Sequence, residues 1–184
     1  MLSALAIAVP GNQQLGPYTV SFDVNANYQI QNVEPIETDQ ANAYQMIIFT
    51  DNTTSASISV TEYKALTDAT LDVHKSLMPM NMILQGLNVT SVEDKTIDGK
   101  DGFLVSSVPY VAAGTAQPNF DVYRAMYWLD SQGCECGPVS VGKTSVIITS
   151  TFPQDVTESL LSSLQIVKGE AATSAQAGQV LPPA

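Results

Sequence analysis

"NVTSVEDKTIDGKDGFLVSSVPYV", residues 88–111, contains two alternating runs, 88–97 and 102–111, on either side of "DGKDG". Asp-Gly tolerates the positive φ angles of a tight hairpin turn, so the stretch reads as two antiparallel strands. Just upstream the period changes. In "DATLDVHKSLMPMNMILQG" (68–86), Leu71, Met78 and Met82 fall on one helical stripe, with Ala69, Val73, Leu77 and Leu84 beside it. Thr67 or Asp68 is expected to cap this helix, Gly86 to end it, and Pro79 to kink or split it.

Further out, "YTVSFDV" (18–24) and "YQIQNVEP" (28–35) flank "NAN", while "AYQMIIFT" (43–50) and "SASISVTEY" (55–63) flank "DNTT". Each pair reads as a hairpin. Downstream, "NFDVYRAMYWLD" (119–130) and "KTSVIITSTF" (143–152) read as strands. A second helix opens at Pro153, with Asp155 and Glu158 near its start and Val156, Leu160, Leu161 and Leu164 on one face. The expected fold is therefore α+β: an antiparallel sheet built from hairpins and covered by two helices, about 68–86 and 153–166. Residues 16–168 are expected to form a single domain. Residues 1–11 read as the remnant of a signal sequence or a flexible N-terminus, and 169–184 as a disordered tail.

Eighteen acidic residues against seven cations leave a net charge of −11 and a pI near 4.1. Nucleic acids and anionic lipid surfaces are bound through clustered Lys and Arg, so neither is an expected partner. The apolar start "MLSALAIAVP" is shorter than the roughly 20 residues that span a bilayer, so no stable transmembrane span is expected. Its Ala4-Leu5-Ala6 and Ala6-Ile7-Ala8 fit the small-x-small pattern of signal cleavage, and the sequons at Asn52 and Asn88 mark candidate glycosylation sites. These features place the expected location outside the cell or at its surface.

Little in the chain supports catalysis, and no enzymatic activity, catalytic residue, metal or cofactor is expected. His74 is the sole histidine, which excludes two-histidine zinc sites and triads that draw a histidine from elsewhere. Adjacent carboxylates such as Glu93 and Asp94, or Asp98 and Asp101, are common in any chain this acidic. "DGKDG" lacks the ligand spacing of a calcium loop. Met78, Met80 and Met82 offer soft sulfur ligands, yet a helix cannot aim all three the same way, and methionine commonly fills cores. Arg124 shares its strand face with Phe120, Val122, Met126 and Trp128 and is a candidate for a buried ion pair. Tyr123, Tyr127 and Trp128 belong to the core or line a pocket. Cys134 and Cys136, in "SQGCECGPVS", are expected to be oxidised, either as a clasp within the loop or as a link between subunits.

The order of paired strands, helix, further strands and a closing helix ending in "SSLQIV" (162–167) after "STF" (150–152) resembles the PsbP/Mog1-like family. That resemblance spans roughly residues 16–168 and implies a binding or assembly accessory. The acidic, Ser/Thr/Val-rich composition, with its sequons and paired cysteines, resembles cell-surface proteins of methanogenic archaea, including S-layer and sheath subunits. The 19 uncharged residues between Asp101 and Asp121, and "TSVIITSTF", are the kind of strand used in edge-to-edge pairing. The expected function is thus an exported, non-enzymatic envelope protein that self-assembles through strand edges, with itself and other envelope proteins as partners. The alternative is a monomeric exported binding module holding a partner protein or small ligand.

Overall fold

The computed structural model describes residues 9–50, 54–67, 69–111, 120–134 and 137–169, without the side chains of 9–10 and 132–140. The strands are β1 (Val9–Leu15), β2 (Tyr18–Val24), β3 (Gln29–Glu37), β4 (Ala41–Phe49), β5 (Ser55–Tyr63), β6 (Leu87–Ile97), β7 (Lys100–Pro109), β8 (Val122–Trp128), β9 (Gln132–Cys134), β10 (Gly137–Val141), β11 (Thr144–Ser150) and β12 (Gln165–Lys168). The helices are α1 (Leu71–Leu84), between β5 and β6, and α2 (Gln154–Ser163), between β11 and β12. A seven-stranded sheet runs β3-β4-β5-β11-β8-β7-β6, a three-stranded sheet runs β1-β2-β12, and β9 pairs with β10. All the pairings are antiparallel, as the α+β reading requires.

The 88–111 hairpin forms as expected. β6 meets β7 in a register that closes at Ile97 opposite Lys100, across Asp98 (φ 54) and Gly99 (φ 68). Two successive positive φ angles make this the primed turn whose twist matches that of the strands.

Inner strands of the large sheet are covered on both faces. On β8, Tyr123, Ala125 and Tyr127 join one core with Ile58, Val146 and Ile148. Val122, Met126 and Trp128 join the other with Phe103 and Val105. The first core is closed by Val20 and Phe22 of β2 and by Leu160 and Leu161 of α2, the second by Met78 and Met82 of α1. Burying each such side chain contributes about 1.5–3 kcal/mol.

Several expectations are corrected. Residues 18–24 and 28–35 do not pair: β2 lies between β1 and β12, while β3 pairs with β4 in the other sheet. β2 buries every second residue, whereas β3 is almost wholly exposed, so the two strands serve different surfaces. β1 pairs with β2 from Val9↔Val24 onward, which brings residues 9–15 into the fold ahead of the expected boundary at 16. Thr70, not Thr67 or Asp68, caps α1: its hydroxyl accepts from Val73 N at 3.2 Å. Pro79 lies within α1, which is one helix, so of the two outcomes expected of this proline the split does not occur. α2 ends at Ser163, not 166, because Leu164 is extended (φ −61, ψ 130) and residues 165–168 pair with β2. The expected tail at 170–184 lies outside the described residues.

The uncharged residues that lie in described strands prove to be interior. β7 lies between β6 and β8, and β11 between β5 and β8; β11, and β7 from Gly102 onward, lack charge because both faces are covered, while residues 112–119 lie outside the described residues. Of the large sheet, β3 and β6 are the edges. β3 carries Glu34, Pro35 and Glu37 with a register shift between Val33 and Ile36. β6 carries Glu93, Asp94 and Lys95 with a shift between Val89 and Ser91. Charge, proline and bulges are what keep an edge from accepting another strand.

Candidate functional site

Helix α1 is built to be apolar on two sides. Met78 and Met82, four residues apart, are buried against the large sheet, while Leu71 and His74 are half-buried beside them. On the opposite side, Val73, Leu77, Met80 and Leu84 follow one another at intervals of four, three and four residues, and therefore share a face. All four are exposed, Met80 at 60% and Leu84 at 84%, and Ile83 adjoins them at 58%. A surface helix ordinarily turns polar residues outward; here the outer row is as apolar as the inner one.

The surroundings keep that row free of charge. From Ser76 to Val92 the sequence has no charged residue. Lys75 turns aside to Asp94 of β6, at 2.7 Å. Asp72 sits in the first turn, where the helix dipole favours an anion. Beyond the C-terminal end, the N–H of Tyr110 is bonded to the Gly86 carbonyl at 2.7 Å, placing an exposed aromatic residue next to the end of the helix. Leu66, just before the helix, is also exposed.

The structure separates the three thioethers: Met78 and Met82 face the sheet and Met80 faces solvent. The His74 ring meets Trp128 edge-on at 5.5 Å, and burial pushes its pKa down. Arg124 reaches across to Gln85, with Nη2 donating to Oε1 at 3.2 Å. Its described partner is thus an amide oxygen rather than the carboxylate expected of a buried ion pair, and partial burial lowers its pKa. Tyr123, Tyr127 and Trp128 are core residues, none more than 7% exposed. Burial, followed by the nearby Asp98 charge, raises the Tyr127 pKa.

Asp98 is occupied by protein donors, since its Oδ2 takes the Lys100 ammonium, the Tyr127 hydroxyl and the Ile166 N–H, each at 3.3 Å. Among the described residues no group of three or more His, Cys, Asp or Glu is placed to hold a metal. Likewise, no helix among them is long and apolar enough to cross a membrane. Asn88 is exposed on edge strand β6. Asn52, Cys136 and the side chain of Cys134 lie outside the described residues, as do the pairing and glycosylation expected of them.

The reading by stripe, which sets Val73, Leu77 and Leu84 beside Met78 and Met82, does not single out the outer row of α1. Its signal in the sequence is the width of the apolar arc: a helix with apolar residues over so wide an arc cannot turn them all inward. Comparison with protein-family models, curated proteins and solved structures finds no match to this chain.

Proposed function

We propose that this is a non-enzymatic module that works outside the cell by self-association, through the outer face of α1 rather than through strand edges. The observation that carries this reading is the exposed row Val73, Leu77, Met80 and Leu84. Its four-three-four spacing is that of a helix–helix seam. Under a two-fold axis with antiparallel helices, Val73 would face Leu84 of a second copy and Leu77 its Met80, so the row is complementary to itself.

Charge favours the same occupant. Two molecules of net charge −11 repel each other over most of their surfaces, and the approach with least repulsion is at the uncharged stretch 76–92. Leu66, ahead of the helix in the chain, and Tyr110, bonded to Gly86 just beyond it, are exposed as well. The sequons, the small-x-small start and the acidic composition support the extracellular part of the proposal. So does the resemblance in composition to cell-surface proteins of methanogenic archaea.

Sedimentation velocity at high micromolar concentration tests it. The wild type is expected to be dimeric, and Leu77→Asp with Leu84→Asp monomeric with an unchanged circular dichroism spectrum. A wild-type monomer, or a dimer that survives both substitutions, refutes the proposed interface.

A further inference from the structure

Half of the lysines of this acidic chain come together at one place. Lys100, Lys143 and Lys168, three of the six, line a cleft of about 490 Å³ where the three-stranded sheet meets the large one. They arrive from β7, from the turn before β11 and from β12, so no sequence run announces the cluster. The other three lysines, Lys64, Lys75 and Lys95, are not part of it.

The acids nearby do not cancel these cations equally. Lys168 pairs with Glu62 at 2.6 Å and stands 5.8 Å over the Tyr18 ring. Lys100 donates to the Asp98 main-chain carbonyl at 3.1 Å and makes a longer contact of 3.3 Å to the Asp98 carboxylate, whose oxygen it shares with Tyr127 and Ile166. Asp130 is turned to the backbone: Oδ1 accepts the N–H groups of Lys143 and Thr144 at 2.9 and 2.8 Å, and Oδ2 accepts the Thr144 hydroxyl at 3.3 Å. The Lys143 ammonium has no partner among the described residues. One wall is apolar, formed by Leu129, Ile166 and Val167, and Val167 is 63% exposed.

We infer that this cleft binds a small organic carboxylate with an apolar body. The carboxylate lies between Lys143 and Lys100, and the body lies against Val167 and Leu129. A carboxylate suits the site because each ammonium forms a charge-assisted hydrogen bond, while the apolar wall gives a bare inorganic anion nothing to cover. The site stands apart from α1 and does not depend on the state of association.

Titration of the isotope-labelled protein with hexanoate, followed by the amide resonances, tests the inference, with hexylamine as the cationic counterpart. Expected are saturable shifts centred on Lys143, Thr144, Val167 and Lys168 with hexanoate and none with hexylamine. Lys143→Met and Lys100→Met each weaken binding about tenfold, Lys143→Arg retains it, and Lys75→Met leaves it unchanged. Absence of a saturable shift, equal response to the two probes, or undiminished affinity in both methionine variants overturns it. The comparison of hexanoate with hexylamine on the wild type decides the matter even if a variant fails to fold.

Discussion

Asp98 and Ile166, 68 residues apart, are joined by a hydrogen bond from the Ile166 N–H to Asp98 Oδ2 at 3.3 Å. It runs from the hairpin turn of the large sheet to a strand of the small one. The same oxygen accepts the Tyr127 hydroxyl at 3.3 Å, so one carboxylate serves the turn, the core and the sheet–sheet junction.

Asp98→Ala should therefore lower stability by about 1–3 kcal/mol, since it leaves the buried Tyr127 hydroxyl and the Ile166 N–H without their acceptor. Asn tolerates positive φ and keeps an oxygen, so Asp98→Asn should lose about 1 kcal/mol or less. Urea unfolding of the two variants checks the order; equal losses would mean that the hydrogen bonds contribute nothing.

The two faces of α1 should respond unequally. Met82 is fully buried, and Met82→Ala should cost about 2–5 kcal/mol. Met80→Gln on the outer row should change the stability of the monomer by less than about 0.5 kcal/mol. Thermal unfolding in dilute solution, where association does not contribute, measures both.

Gly142 lies under Trp128. A Cβ there would stand 2.6 Å from the indole ring, and Trp128 is itself fully buried. Gly142→Ala should cost about 1–3 kcal/mol and alter the tryptophan fluorescence, Trp128 being the sole tryptophan. An unchanged emission spectrum and midpoint would show that the ring has room to move.

Stability should fall on mild acidification. Burial lowers the pKa of His74 from its ordinary value of 6.5, so between the folded and unfolded values the unfolded chain binds more protons. Stability then rises with pH through that interval, and the contribution is lost as pH falls below about 6.5. His74→Phe keeps a ring against Trp128 and should flatten the dependence there. Denaturation midpoints of both proteins across this range give the comparison.

Much of the architecture was already legible in the chain. Strand alternation, the Asp-Gly turn and the α2 stripe are local: each depends on residues a few positions apart, so the 88–111 hairpin, the 43–63 hairpin and both helices could be placed. β8 could be read as interior because its apolar residues occupy both faces of one strand. The partnering of strands is not local. Nothing within 18–24 or 28–35 states that β2 leaves β3 for β1 and β12. β12 itself is four residues long and hidden at the end of a helical pattern. The uncharged run of β7 from Gly102 on and the uncharged strand β11 have the same composition whether they form an edge or lie in the middle of a sheet; only the covering of both faces distinguishes the two. What the sequence by itself determined was a set of strands and helices with their apolar faces. Tertiary structure decided which of those faces found cover, leaving one row of α1 exposed and drawing three distant lysines to one cleft, because burial is settled between segments far apart in the chain.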